Sequence, residues 1–224
     1  MGLNNFFINK TVLVTGGCGT IGIELSRQLI NLGVKELRIL DNSEDGVFNI
    51  SQKYKTNQNV KVLLGDIRDY QRLKEVTQEV NIIIHAAALK HVHICELAPV
   101  EAVMTNIVGT QNLIKAAIDN RVEKCLLTST DKAVNPTNVM GTSKLMAERL
   151  FTAANNYSAY GDTTFSSTRF GNVLGSRGSV IKVFNDQLKK RKDITITDKR
   201  MSRFIMTIQE SVRLVLSCLL YTSP

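Results

Sequence analysis

From residue 11 onward the chain alternates short apolar runs with longer stretches in which apolar positions recur every three or four residues. TVLVT (11–15), ELRIL (36–40), VKVLLG (60–65), NIIIHAA (81–87), KCLLTS (124–129) and TTFSSTRF (163–170) read as strands. Short β-rich runs with little polar interruption suit strands buried on both faces of a parallel sheet. Helical spacing occupies 20–32, 44–55, 69–79, 98–119 and 140–157. This alternation predicts an α/β fold, a doubly wound parallel sheet joined by right-handed crossovers. Beyond 171 the rhythm changes: GNVLGSRGS leads to a helix near 179–190, then ITIT (194–197) and an apolar helix near 208–220. The pattern predicts a sheet-bearing unit over 1–170 and the start of a small lobe over 171–224.

The first strand runs into VTGGCGTIGIEL, where Gly16, Gly19 and Gly22 are spaced G-x-x-G-x-x-G. Glycines there let the backbone turn tightly and approach a pyrophosphate at the amino end of the next helix. A lone glycine pattern is weak, but this one follows a strand, opens a helix and is followed by an acid at the end of the second strand. That acid, Asp41, stands 25 residues after Gly16, where a carboxylate accepts hydrogen bonds from adenosine ribose hydroxyls and repels a 2′-phosphate. The expected cofactor is therefore NAD rather than NADP. Its candidate contacts are Gly16, Gly19, Thr20, Ile21 and Gly22 in the loop, Asp41, and Asp66 and Ile67 in GDIRD (65–69). Asp66 or Asp69 reads equally well as the cap of the following helix. Ala86, Ala87 and Ala88 in HAAALKH complete the set, because small side chains at a strand's carboxyl edge leave room for ribose and nicotinamide. Together these features predict a Rossmann-type dinucleotide site.

Composition narrows the rest. With 224 residues and 43% hydrophobic content, the chain is long enough to bury a full core. No apolar run approaches the ~20 residues that span a bilayer, and MGLNNFFINK is too short and polar for a secretory signal. The four cysteines form no CxxC pair or metal-spaced cluster, which favours reduced thiols, a cytoplasmic location and no metal. The formal charge of +8 reads first as a solvated basic surface and next as attraction for an anionic nucleotide. With few aromatics to stack bases and no nucleic-acid motif, a nucleic-acid partner is not expected.

Five blocks in order, TGGxGxxG, HAAALKHV, STDKAVNPTNVMGTSK, RFGNVLGSRGSV and RMSRF, resemble nucleotide-sugar 4,6-dehydratases of the extended short-chain dehydrogenase/reductase superfamily. The resemblance spans roughly residues 10–216 and is strongest to the UDP-N-acetylglucosamine 4,6-dehydratase group of polysaccharide and glycan biosynthesis. It implies a cycle in which hydride leaves sugar C4 for NAD, water is eliminated across C5–C6, and hydride returns to C6. By the same resemblance, Asp131 is the acid to the C6 hydroxyl and Lys132 the C5 base. Thr130 holds a substrate hydroxyl, and Lys144 binds nicotinamide ribose.

The position four before Lys144 holds Met140, where an ordinary reductase of this superfamily carries tyrosine. The resemblance covers both forms, so Met140 narrows the family and leaves Lys132, Asp131 or a water as acceptor of the C4 hydroxyl proton. A thioether there is expected to pack against the sugar or nicotinamide. Lys90, His91, Asn172, Arg177 and Arg203 are candidate contacts to a UDP-sugar, the arginines because their fork donates two hydrogen bonds to phosphate. His85 reads as a satisfied core histidine, His93 as a loop residue and Asn106 as a backbone tie. The family implies a homo-oligomer, and its members continue past YTSP, so a truncated lobe is expected. The rival readings are a 4-epimerase, which would keep tyrosine and need no Asp-Lys pair, and a non-catalytic NAD-binding regulator, which would lose Lys144 and that pair.

Overall fold

Every residue of TVLVT is buried in the computed structural model, which describes residues 2–157, 163–176, 180–196 and 198–221. That strand, β1 (Thr11–Thr15), lies inside a six-stranded parallel sheet with β2 (Glu36–Asp41), β3 (Val60–Leu64), β4 (Ile82–His85), β5 (Lys124–Thr130) and β6 (Thr164–Phe170). The spatial order is β3-β2-β1-β4-β5-β6, so the chain builds outward from β1 in one direction, returns, and builds outward in the other. Register aligns Val12 with Leu37 and Ile82, and Val14 with Ile39 and Ile84, so successive residues of each strand feed opposite faces. On one face Leu13, Ile83 and Leu127 pack with Leu113, Phe151 and Phe165. On the other, Val12, Val14 and Ile84 meet Leu25 and Leu29 of α2 (Thr20–Asn31). The doubly wound α/β fold expected from the alternation is the fold observed.

Between the strands lie α3 (Glu44–Lys53), α4 (Tyr70–Val76), α5 (Val92–Leu97), α6 (Pro99–Ala102), α7 (Gly109–Asp119) and α8 (Val139–Tyr157), after a short α1 (Leu3–Phe7). The helix expected over 98–119 is interrupted: Val103–Val108 widens into a π-helical turn between α6 and α7. Buried Asn106 sits in that turn. Its Oδ1 accepts from Leu89 N at 2.8 Å, and its Nδ2 donates to Leu89 O and to Ser143 Oγ, both at 2.9 Å. One side chain thereby ties the loop after β4 to α8. The short helices α1 and α5 escaped the sequence pattern, and His93 lies within α5 rather than in a loop.

Past residue 170 the chain forms a two-stranded parallel sheet of β7 (Asn172–Val173) and β8 (Ile205–Met206), with α9 (Val180–Lys189) between them. Residues 194–196 of ITIT carry no regular structure. The last helix, α10 (Ile208–Tyr221), does not extend this lobe. Its Val212, Val215, Leu216 and Leu219 are buried in the same cluster as Val12 and Leu25, which makes α10 a layer of the main sheet. Within the stretch expected to begin a small lobe, α10 thus belongs to the core of the main sheet.

Candidate active site

In an open parallel sheet the ligand crevice lies at the carboxyl ends of the strands, where strand order reverses. Here that point is between β1 and β4. Gly16 ends β1 with φ +66°, and a Cβ added there would lie 2.6 Å from the Ala87 backbone. Gly22 is equally constrained, 2.5 Å from Gly16 O. Gly19 differs: its added Cβ would meet only Gly16 O, at 3.1 Å. Its bareness is thus not consumed by packing, and it is the N-cap of α2 with no side-chain hydrogen bond at that end. A helix amino end with no side chain over its cap fits a diphosphate.

These residues open onto a cavity of about 500 Å³. It is lined by Gly16, Gly19, Thr20, Ile21, Gly22, Asp41, Asp66, Ile67 and Ala86–Ala88, so the proposed cofactor contacts come together in one crevice. Asp41 is fixed at its edge, with Oδ2 accepting from Cys18 N at 2.9 Å and Oδ1 from Ser43 N at 3.0 Å. Asp66 is engaged by Arg68, whose Nη2 donates to Oδ2 at 2.7 Å, and that guanidinium holds the carboxyl below its usual range. The helix cap is Asp69, which accepts from Arg72 N at 3.0 Å. Buried Ile67 packs where a side chain on Gly109 would fall.

The other wall comes from β5, α8 and the end of β6. Thr130, Lys132, Met140 and Lys144 line it, as do Lys90 and His91 from the loop after β4. Thr130 ends β5 and caps the 3₁₀ turn Asp131–Ala133. Its hydroxyl donates to Asp131 Oδ1 at 2.9 Å, and Lys132 Nζ donates to the same oxygen at 3.0 Å. Burial pushes the Asp131 carboxyl up, but the hydrogen bonds from Lys132 and Thr130, with the Lys132 charge, outweigh it and hold the group below its ordinary value. Lys132 Nζ also donates to Asn172 Oδ1 at 2.9 Å, which places Asn172 against the lysine rather than on the cavity wall. Arg203 is exposed, bonds to Ser202 O and is not among the cavity residues. Arg177 lies outside the described residues.

Lys144 is buried, and Nζ donates to Thr128 O at 2.7 Å. Burial pushes its ammonium down to about 8, against the opposing charge of Glu148. Glu148 is itself tied to Arg169 by bonds of 2.8 and 2.5 Å. Met140 packs on Cys95 and Ala102 while lining the cavity, so part of its thioether surface is spent on the protein. His85 is fully buried between Thr15 Oγ1 (2.6 Å) and Thr110 Oγ1 (3.1 Å), and burial drives it down to about 3, a neutral core histidine. Sequence reasoning missed Ser129, Phe170 and Thr105 as lining residues. The first two were accessible from the strand-end rule. Thr105 was not: it lies in the π turn Val103–Val108, which interrupts the expected helix.

A parallel sheet with a glycine turn and a helix amino end at its switch point, and with Thr130 and Lys132 on the facing wall, is a Rossmann-like architecture. The polysaccharide biosynthesis protein family model matches residues 12–223, and the chain belongs to that family. The X-ray structure of Pen from Bacillus thuringiensis superposes with a TM-score of 0.94 at 44% identity, over 97% of this chain and 69% of that one. A UDP-N-acetylglucosamine 4,6-dehydratase (inverting) of Campylobacter jejuni is 42% identical over 94% of this chain and 64% of its own. A UDP-glucose 4-epimerase of Rickettsia rickettsii is also 42% identical, over 94% of this chain and 62% of its own. The chain thus spans 62–64% of the length of these curated relatives. Among the described residues, no helix is long and apolar enough to cross a membrane.

Proposed function

We propose that the protein is an NAD-dependent nucleotide-sugar 4,6-dehydratase acting on UDP-N-acetylglucosamine. The observation that carries this reading is that Thr130 and Lys132 line the cavity beside a thioether at Met140, with Asp131, itself not a lining residue, hydrogen-bonded to both. An epimerase needs acid–base chemistry only at C4, and the superfamily supplies it with a phenol that Met140 cannot replace. A dehydratase needs a base for C5 and an acid for C6, and a lysine and an aspartate sharing one hydrogen bond supply both.

The bare backbone at Gly19 and the fixed carboxylate of Asp41 fit a dinucleotide, with Lys144 at the nicotinamide end. Bound there, NAD would take up and return a hydride. The protein's own part is proton handling. Its resting pair is the ion pair Asp131⁻/Lys132⁺ at 3.0 Å, whereas elimination needs a neutral acid and a neutral amine. Moving the third Nζ proton, bound by neither Asp131 nor Asn172, to Asp131 Oδ2 through a water or a substrate hydroxyl converts the first into the second, so the reactive pair is a tautomer of the resting one. A sugar that displaces water favours the neutral tautomer, because desolvation penalises both charges. Once C4 is a ketone, Lys132 takes the C5 proton, the C5–C6 double bond forms, and the C6 hydroxyl leaves as water with the Asp131 proton. Thr130 holds Asp131 in place through its own hydrogen bond. Lys90 and His91 line the same cavity, which supports assigning them to the sugar or diphosphate oxygens.

Incubation with UDP-N-acetylglucosamine and NAD, read by mass spectrometry, tests the reading. A product lighter by one water, without accumulation of reduced cofactor, is expected. A product of unchanged mass moves the assignment to the epimerase.

A further inference from the structure

Asn172 stands on β7, which pairs with β8, and its N donates to the O of Phe204, just before β8, at 2.8 Å. Its side-chain oxygen accepts from Lys132 Nζ at 2.9 Å, across 40 residues of sequence, while Asp131 Oδ1 accepts from the same nitrogen at 3.0 Å. Nζ is tetrahedral, with one bond to Cε and three other directions. Two of the three are claimed by accepting oxygens, the Asn172 amide oxygen and Asp131 Oδ1, which still accepts when the Asp131 proton sits on Oδ2. When the nitrogen is neutral, its two remaining N–H bonds stay with those acceptors and the lone pair occupies the third direction. That direction is the one left for the cavity that Lys132 lines.

We propose that Asn172 is a positioning residue for Lys132, aiming the nitrogen lone pair at the substrate together with Asp131. The inference rests on the reading of Lys132 as the C5 base. In the step it serves, the C5–H bond breaks and its proton goes to Nζ. The electron pair becomes the C5–C6 double bond as C6–O breaks, and the Asp131 proton leaves with the hydroxyl as water. A neutral amide suits this task because a second carboxylate would hold the ammonium and deny the base. The other titratable groups lining the cavity are Asp41, Asp66, Lys90, His91 and Lys144, and none is a hydrogen-bond partner of Lys132 among the described residues.

The test is a pH–kcat profile of dehydration for the unmodified protein, Asn172→Asp, Asn172→Ala and Lys132→Ala. Asn172→Asp keeps the shape and adds a charge, so the acid limb should move up by about 1 to 3 pH units. Asn172→Ala frees the lone pair and should lower kcat about 10²-fold with KM nearly unchanged. A misfolded fraction scales the height of a profile without moving its midpoint, so the limb position separates positioning from a merely structural role. An Asn172→Asp profile superimposable on the unmodified one, at any height, overturns the proposal. Lys132→Ala tests the underlying reading separately: retained turnover there removes the base itself, whereas lost turnover with an unmoved Asn172→Asp limb removes only the role of Asn172.

Discussion

At the scale of single residues, Lys144 carries the clearest electrostatic signature. It is buried beside the cavity, and burial brings its ammonium down to about 8, within the working range of pH. If it holds the ribose next to a doubly charged diphosphate, the protonated form binds better than the neutral one. Affinity for NAD should then be full below about pH 8 and fall as pH rises through it. Isothermal titration between pH 6.5 and 9.5 checks this, with Lys144→Met as the variant in which the pH dependence disappears. Glu148 opposes the downward shift, so Glu148→Gln should move the midpoint to lower pH. An affinity that is flat across the range would take Lys144 out of the cofactor site. The sequence showed Lys144 and its distance from Met140. It could not show burial, or the Glu148–Arg169 pair behind it, because those depend on α8 lying against β6.

At the scale of elements, the first turn of α8 and the turn Asp131–Ala133 act as one unit. Asn138 Oδ1 accepts from Gly141 N at 2.8 Å and so caps α8. A Cβ on Gly141 would lie 2.3 Å from Lys132 O. Alanine is normally favoured over glycine inside a helix by about 1 kcal/mol. Here the added carbon meets a backbone oxygen, and overpacking of that kind costs about 1–3 kcal/mol. Displacement of the turn is therefore expected to win over helix propensity. Gly141→Ala should lower kcat about 10²-fold through movement of Lys132, while NAD affinity stays within about twofold. Steady-state kinetics beside a binding titration decide it, and turnover at the unmodified level would show that the two elements are not coupled. The strands and the glycine loop were legible because unbroken apolar runs and turn chemistry are written locally. The Gly141 contact, the π turn around Asn106 and the Lys132–Asn172 bond were not, since each is made between segments that only the fold brings together.

At the scale of the molecule, the crevice draws on both halves of the sheet, so a ligand bridging it adds to global stability. At a concentration of 100 Kd a ligand specific for the folded state stabilises it by about 2.7 kcal/mol. For a chain of this size each kcal/mol moves Tm by roughly 2–4 °C, so NAD should raise Tm by roughly 5–11 °C. NADP at the same concentration should raise it far less, and the reason lies in how Asp41 is held. Both of its oxygens accept backbone N–H groups, from Cys18 and from Ser43, on opposite sides of the carboxylate. It can still accept from a ribose hydroxyl, because each oxygen has a further lone pair, but it cannot rotate away from a 2′-phosphate without breaking both bonds. Asp41→Asn removes the charge at the loss of one of these two backbone bonds, and it should narrow the difference between the two cofactors by raising the NADP shift relative to the NAD shift. Paired thermal melts of both proteins with both cofactors measure this directly. An unmodified protein stabilised as much by NADP as by NAD would mean that the adenosine ribose lies beyond the reach of Asp41, and the dinucleotide would have to be placed differently in the crevice.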